Sequence, residues 1–565
     1  MIMTGSLLAI IGITFFICGY LFYSRFLAKK IFKIYENIES PSIRYYDGKD
    51  YVPTNKHILF GHHFTSIAGL APILGPCIAI CWGWLPVFLW IVLGTVFIGA
   101  VHDFGALVIS VKEKGRSVAD LAEKTINNRV RIMFLLFVII LSWLVLAIFT
   151  NGIASLFTKN ISGHQAVIPI NIEIILSIIM GYHIHKTKKN ALIPSIIALV
   201  ILYLSIIVGI KFPISLSINF WIYFLFIYAA VASILPVWQL LQPRDFINSH
   251  QLILALSLIF LSIIFSNPKT TIPMIQNDAG NPSIFPFLFI TVACGAISGF
   301  HGLVSSGTTS KQVKNLKDTR LIGYGAMLGE GSLALATTIA AACGIGLYIG
   351  INPEYHSHDL STFSSAANLK LDTFPNSVAA LLYHSIVDLF GIKNSSIELF
   401  NGLRTFVIIV MISFAATTLD SATRICRFMI KELGQATKIN FLKNKYAGTL
   451  LSIFPAFMLL IIEVEGVSLG KFLWPLFGAS NQMLAALTLM ILVFYFNAKG
   501  LKNLLILGPM IFISFICIAS FVLNFKNHAI NHHIILITIN SILLTLIVWL
   551  IAEAIYHYKR NTAKK

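Results

Sequence analysis

Long apolar segments dominate this sequence and restrict the folds open to it. They recur as runs of about 18–28 residues without strong charges, and about 20 apolar residues in a helix cross the hydrocarbon core of a bilayer. Only 11% of the 565 residues are charged, against about 25% in soluble domains. This pattern excludes a soluble enzyme, a disordered chain and an outer-membrane barrel, whose strands alternate polar and apolar residues. We therefore predict an all-α polytopic membrane protein.

About fifteen segments have the length of a transmembrane helix. They are predicted at Ser6–Ala28, Phe64–Gly83, Leu85–Val111, Ile132–Phe157, Val167–His183, Ala191–Ile210, Ile218–Leu241, Gln251–Ser266, Pro286–Ser306, Ile322–Ile351, Glu398–Leu419, Tyr446–Glu463, Phe472–Phe496, Asn503–Asn524 and Ile534–Tyr556. A further segment, Asn376–Phe390, is too short to span and is predicted to be an external or re-entrant helix.

The basic residues give the predicted orientation. With this helix count, about 33 of the 41 Lys and Arg residues lie in loops on one side and about 7 on the other. Cytoplasmic loops of membrane proteins carry such an excess. The sequence therefore predicts a multi-pass protein with its N-terminus outside and its C-terminus in the cytoplasm. The net charge of +18 reflects this orientation rather than a nucleic-acid partner.

Three predicted helices carry glycine and proline at membrane depth. The first break spans Gly69, Ala71, Pro72 and Gly75, and the third spans 295–309. The second runs from Ile234 and Pro236 to Gln239, with Arg244 and Asp245 beyond it in predicted structural or gating roles. Discontinuous helices expose free peptide dipoles that bind ions and anionic groups in secondary transporters. We therefore expect the half-helix ends of the first two breaks to hold a substrate carboxylate; a proline kink filled by neighbouring side chains is the alternative.

The spacing of the breaks bears on internal symmetry. Helices two and seven cross in opposite directions, as an inverted repeat of five plus five helices requires. The break in helix nine lies seven helices after the first and fits a seven-plus-seven repeat equally well. The order of the helices alone leaves both open.

Ionisable residues inside membrane helices are candidate functional groups. Glu330 lies near mid-bilayer and is interpreted as a proton carrier or as a structural acid capped by a neighbouring helix. Asp103, next to His102, is the second candidate proton carrier. Arg404 is a candidate counter-charge for a carboxylate substrate.

Other polar residues are predicted to have structural roles. Asp420 and Arg424 stand four positions apart and are predicted to form an interfacial salt bridge, with gating as the alternative. His62, His63 and His301 are interpreted as interfacial hydrogen-bonding groups rather than metal ligands. No metal, cofactor or catalytic site is predicted, and the chain is not expected to be an enzyme.

The sequence resembles the carbon starvation protein A (CstA) family. The resemblance rests on segments that match in a fixed order between Arg44 and Phe496. They are 51–56, 59–64, 242–245, 286–291, 298–301, 306–309, 322–328, 417–424 and 474–479. The most distinctive of them read YVPTNK, LFGHHF, QPRD, SGFH, SGTT and TTLDSATR.

The resemblance implies a bacterial inner-membrane secondary active transporter that imports short peptides, pyruvate or both by proton symport. It also implies an amino-acid–polyamine–cation type core of five plus five inverted helices, with a cation site at Ser305, Ser306, Thr308 and Thr309. Residues 1–565 then form one membrane-embedded domain, with a leader helix at 1–30, a core at 44–433 and C-terminal helices at 446–565. Sodium coupling and a non-transporting nutrient sensor are the alternatives.

Overall fold

The computed structural model is almost entirely helical. It describes residues 3–36, 38–48, 50–187, 191–277, 280–352, 360–391, 397–464, 467–468, 473–530 and 532–562. The first half contains α1 Gly5–Cys18, α2 Ser24–Phe26, α3 Pro41–Arg44, α4 Lys56–Ile67, α5 Ala71–Ala79, α6 Trp84–Gly94, α7 Ala100–Lys112, α8 Val118–Thr125, α9 Asn128–Thr158, α10 Ile161–Thr187, α11 Leu192–Lys211, α12 Ile218–Ile234 and α13 Leu241–Ser266.

The second half continues the helical bundle. It contains α14 Ile284–Thr291, α15 Ala293–Ala296, α16 Gly299–Gly307, α17 Ala326–Ile339, α18 Ile345–Ile351, α19 Phe363–Phe390, α20 Ile397–Ala436, α21 Asn440–Lys443, α22 Lys445–Ile461, α23 Leu473–Ala498, α24 Leu504–Ile530 and α25 Ile534–Thr562. Two antiparallel two-residue strands, β1 Glu463–Val464 and β2 Val467–Ser468, precede α23. The predicted helix start at Phe472 lies outside the described residues.

Short π-helical and 3₁₀ turns join several of these helices into longer spans. In the part of the chain that the structure describes, eleven continuous helices are long and apolar enough to cross a membrane. The pair Lys56–Ile67 and Ala71–Trp82, bent by 45°, makes a twelfth if it is one span. The predicted class, a helical protein with many membrane spans, is confirmed. The count of fifteen helices and the internal repeat remain predictions.

The loops define two faces of the bundle. On one face, which we call the basic face (residues 29–56, 112–131, 306–320 and 424–445), Lys112 pairs with Glu36 at 2.5 Å and Lys311 lies over the Tyr51 ring. On the opposite face (residues 3–6, 80–85, 268–277 and 340–352), the Gly5 amide donates to the Pro268 carbonyl at 2.7 Å. The predicted grouping of basic loops therefore has a structural counterpart.

Four predicted helix boundaries are wrong, and the three at which the observed helix is longer share one reason. The helix predicted at 218–241 ends at Ile234, and the next begins at Leu241 rather than Gln251. The helix predicted at Glu398–Leu419 continues to Ala436, and Asn376–Phe390 is the second half of the 28-residue α19. The added turns carry polar side chains such as Arg244 and Asp420 that are buried against protein. Hydropathy excludes such turns because it measures transfer to lipid, not to a protein interior.

Candidate functional site

The first predicted break is present and lies at the centre of the bundle. The helix α4 ends at Ile67, and α5 begins at Ala71 with Pro72 in its first turn, where a missing amide hydrogen costs no helical bond. Gly69 lies in the break, and a side chain there would meet Phe149 and Thr418 at 2.7 Å. Gly75, predicted as part of the break, instead lies inside α5, where its missing side chain lets the Thr291 carbonyl approach to 2.5 Å of the Cβ position.

The third break is also present and packs against the first. The backbone is extended at Ile297 and Ser298, between α15 and α16. The Asn481 side chain accepts a hydrogen bond from the Phe300 amide at 3.0 Å and donates one to Ser298 Oγ at 3.0 Å. One side-chain amide from α23 therefore satisfies a peptide N–H exposed by this break and also holds the Ser298 hydroxyl. The α5 helix packs against both α14 and α15, so the two breaks are neighbours in space.

A buried charged cluster lies beside these breaks. His301 Nδ1, on α16, lies 2.8 Å from Asp103 Oδ2, on α7. The other ring nitrogen, Nε2, lies 2.9 Å from Glu330 Oε2, on α17. His102 Nδ1 lies 2.7 Å from the second oxygen of Asp103. We call Asp103, His301 and Glu330 the central triad; all three side chains are at most 1% exposed.

The two carboxylates of the central triad differ in their partners. Asp103 contacts both His102 and His301, whereas Glu330 contacts only His301 and its Oε1 has no hydrogen-bond partner among the described residues. A carboxylate with fewer donors is less stabilised in its charged form. The Glu330 carboxylate therefore has fewer donors to stabilise its charge than the Asp103 carboxylate has.

The other predicted histidines have separate partners. His62 Nδ1 lies 2.5 Å from Asp245 Oδ2, and His63 Nδ1 lies 2.9 Å from Thr309 Oγ1. His301 belongs to the central triad, so the three rings do not converge on one point. Within the described residues, no group of three or more His, Cys, Asp and Glu side chains has the arrangement of a metal site.

The hydroxyl groups predicted to hold a cation are mostly engaged locally. Ser306 Oγ donates to the Gly302 carbonyl at 2.7 Å, and Thr308 Oγ1 donates to the Val304 carbonyl at 3.0 Å. Thr309 binds His63, which leaves Ser305 Oγ as the one of the four without a hydrogen-bond partner among the described residues. A hydroxyl that donates its hydrogen keeps its oxygen lone pairs, so the cation site at these four residues stays a prediction.

A second buried cluster surrounds Arg244, in the first turns of α13. Its Nη1 lies 2.5 Å from Asp420 Oδ2, its Nε lies 3.3 Å from Glu173 Oε1, and Tyr228 also binds the guanidinium. The predicted pair of Asp420 and Arg424 is wrong, because Asp420 pairs with Arg244 from a neighbouring helix. The Arg424 side chain instead donates to the carbonyls of Ala232 and Leu235.

The second predicted break has the wrong polarity for its predicted role. The helix α12 ends at Ile234, and its last carbonyls face the Arg424 guanidinium. A helix C-terminus carries partial negative charge and repels a carboxylate. Pro236 and Gln239 lie in the turn that follows, where the Gln239 amide donates to the Pro236 carbonyl at 3.1 Å. This helix end therefore does not support the carboxylate site at Ile234, Pro236 and Gln239, which stays a prediction.

Two cavities approach the first break from opposite faces. The basic-face cavity has a volume of about 630 Å³ and is lined by residues of α4, α10 and α13, including His62. The opposite-face cavity has a volume of about 280 Å³ and is lined by Leu74 of α5, together with residues of α9, α19 and α23. Gly152 also lines it, and a Cβ atom there would touch Leu70, in the break, at 3.0 Å.

Arg404 lies on the opposite-face side rather than in a break. Its Nη2 lies 3.9 Å from Asp372 Oδ1, and Asp372 also pairs with Lys159. Its charge is therefore partly offset within the protein. The sequence prediction missed Glu173 and Lys370. Glu173 could have been found, because it is ionisable and lies inside the predicted helix Val167–His183, as Glu330 does in its own helix.

Broken helices, a buried cluster of titratable groups and cavities on both faces of a multi-span bundle define a membrane transporter. Comparison with known proteins specifies the family. The model of the carbon starvation protein CstA family matches residues 4–520, so the chain belongs to this family. The match is wider than the predicted resemblance over 44–496.

Individual relatives cover most of the chain. It is 32% identical to the peptide transporter CstA of Campylobacter jejuni, over 86% of this chain and 75% of that protein. It is 31% identical to the pyruvate/proton symporter BtsT of Escherichia coli, over 86% and 76%. Among solved structures, a manganese transporter of Eremococcus coleocola is 11% identical over 91% of this chain and 99% of that one, with a TM-score of 0.48.

Proposed function

We propose that this chain is an inner-membrane secondary active transporter that imports short peptides, pyruvate or both by proton symport. The relatives named for peptide transport and for pyruvate/proton symport support this substrate range. The basic face is assigned to the cytoplasm, because cytoplasmic loops carry the excess of Lys and Arg. The N-terminus is then outside and the C-terminus inside.

The central triad is the observation that carries the proton-coupling proposal. With both carboxylates ionised and His301 protonated, the three groups carry one net negative charge, and one further proton neutralises them. Buried net charge is costly, so the forms of this cluster with and without the added proton differ strongly in free energy. Glu330 receives the proton, since it has fewer partners than Asp103.

The substrate is proposed to bind at the first break, between the two cavities. Gly69, Ala71 and Pro72 lie there, at the N-terminus of α5, whose partial positive charge favours a carboxylate. Thr418 Oγ1 lies 2.7 Å from the Cβ position at Gly69 and has no hydrogen-bond partner among the described residues. This hydroxyl is available to a substrate.

The proposed fold also includes an internal repeat of helices. The prediction pairs helix two with helix seven in a five-plus-five core of fifteen spans. The neighbouring breaks in α4–α5 and α15–α16 belong to predicted helices two and nine, so their contact favours the seven-helix offset. Superposition of residues 56–82 on 284–307, with their flanking helices, would distinguish the two arrangements.

Uptake by proteoliposomes tests the function. An inward proton gradient should drive accumulation of pyruvate or of alanylalanine, and replacing external sodium by choline should leave the rate unchanged. Sodium dependence would instead favour the sodium-coupled alternative. A protein that binds these compounds without any flux would be a sensor rather than a transporter.

A further inference from the structure

We propose that the opposite-face cavity is a capture site for small monocarboxylate anions, with the Lys370 ammonium as the group that receives the carboxylate. The role in uptake rests on the proposed transport function, whereas the binding chemistry rests on the cavity itself. The cavity of about 280 Å³ has these polar or aromatic lining residues: Asn151, Ser155, Lys159, Asn368, Lys370 and Trp474.

The two lysines of the cavity are not equivalent. Lys159 pairs with Asp372, and its side chain is 40% exposed. Lys370 has no ion-pair partner among the described residues, and its Nζ lies 5.2 Å from the centroid of the Trp474 ring. An aromatic face stabilises an ammonium group without using its N–H donors as an acid would. The Lys370 ammonium is therefore the cation available to a ligand.

The partly buried position of Lys370 favours an anionic ligand. Removal from water, followed by repulsion from Lys159, lowers the pKa of Lys370 to about 8. A bound carboxylate would offset both effects, because an opposite charge favours the ammonium form. Trp474 is 6% exposed, and its indole N–H has no hydrogen-bond partner among the described residues.

The lining also indicates which carboxylates fit. It contains two cations and two side-chain amides but no acidic side chain. A zwitterionic peptide would therefore find a charged partner for its carboxylate and no charged partner for its amino group. The cavity volume of about 280 Å³ lies just below the range of about 300–1,000 Å³ that is usual for small-molecule sites. Both features favour a 2-oxo acid or similar small monocarboxylate over a peptide.

The location of the cavity connects capture to transport. Leu74 of α5 lines it, and Gly152 separates it from Leu70 in the first break. The cavity therefore lies next to the first break, at the N-terminal end of α5.

Equilibrium titration of the purified full-length chain with pyruvate tests this proposal. Lys370→Met should weaken pyruvate binding by at least about tenfold, the loss expected for a charged hydrogen bond. Lys211→Met is the matched control, since Lys211 is an exposed lysine at the end of α11 and should change binding by less than about twofold. Alanylalanine should bind more weakly than pyruvate. Unchanged pyruvate affinity in Lys370→Met, or no pyruvate binding by the wild-type chain, would overturn the proposal.

A second measurement needs no variant and therefore no assumption about folding. Amine-selective labelling of the wild-type chain, read by peptide mass spectrometry, should show pyruvate protecting Lys370 but not Lys211. Equal labelling of Lys370 with and without pyruvate would also overturn the proposal. Protection at Lys370 without uptake by proteoliposomes would instead leave the site intact and contradict the proposed function.

Discussion

His301 Nε2 lies 2.9 Å from Glu330 Oε2, although the two residues belong to different helices, α16 and α17. The extended backbone at Ile297 and Ser298 starts α16 afresh at Gly299 and so sets the direction in which His301 points. The break thus positions one titratable group between two others. This relationship joins the architecture of the broken helix to the proposed proton coupling.

The close packing of α16 on α23 should make Gly299 intolerant of a side chain. A Cβ atom there would lie 2.4 Å from the Asn481 carbonyl oxygen and 2.5 Å from the Ala485 amide nitrogen. Gly299→Ala should therefore lower the unfolding free energy by about 1–3 kcal/mol, as overpacking does. Gly307→Ala, in the same helix, has no neighbour within 4 Å and should change it by less than about 0.5 kcal/mol. Chemical unfolding in mixed micelles measures both; equal effects would contradict the contact.

Arg244 should be the most sensitive buried ion-pair residue. Arg244→Met leaves Glu173 and Asp420 without their shared cation, and loss of one partner of a buried pair costs about 3–5 kcal/mol. The control is Arg404→Met, which removes only a partly exposed contact at 3.9 Å and should cost less than about 1 kcal/mol. The same unfolding titration compares the two. Similar losses of unfolding free energy in both variants would show that the Arg244 cluster stabilises the fold no more than the Arg404 contact does.

Glu113, at the end of α7 on the basic face, should make the stability of the fold depend on pH. Burial alone would raise the pKa of Glu113, but hydrogen bonds from Lys124 and Tyr495, with the charges of Lys124 and Lys499, hold it below its ordinary value. A carboxylate with a lowered pKa stabilises the fold above its unfolded pKa, about 4.3, and this stabilisation is lost as the pH falls through its folded value.

The wild-type chain should therefore exceed Glu113→Gln in thermal unfolding temperature at pH 7, and the difference should shrink when the pH is lowered below about 4. Glu123→Gln is the control, because Glu123 binds Arg131 in an exposed surface pair. A difference between wild type and Glu113→Gln that stays constant with pH would show that the Glu113 carboxylate does not contribute as a charge.

The sequence predicts the class of the fold and the positions of two of the three breaks, because both follow from local properties. Apolar runs indicate segments that transfer favourably to lipid. Glycine or proline at membrane depth indicates a position where helical hydrogen bonds are lost. The first and third breaks at residues 68–70 and 297–298 follow from this rule. The second differs because Pro236 ends α12 and starts a turn rather than interrupting one helix.

The partners inside the site could not be predicted in the same way. His301 and Asp103 are 198 positions apart, and Arg244 and Asp420 are 176 apart. Spacing of four residues places Asp420 and Arg424 on one helix face, but it does not tell which cation from another helix comes closer. The sequence predicts Glu330 and Asp103 as candidate proton carriers and His301 as a hydrogen-bonding group, but only the fold shows that the three are in contact.

Glu330→Gln tests the central claim most directly, since it removes the proposed proton acceptor while keeping the shape of the side chain. In proteoliposomes, the variant should lose accumulation driven by a proton gradient yet retain exchange of labelled for unlabelled substrate. Glu123→Gln should keep both activities. Driven accumulation by Glu330→Gln at the wild-type level would show that Glu330 is a structural acid and that the central triad does not couple the proton.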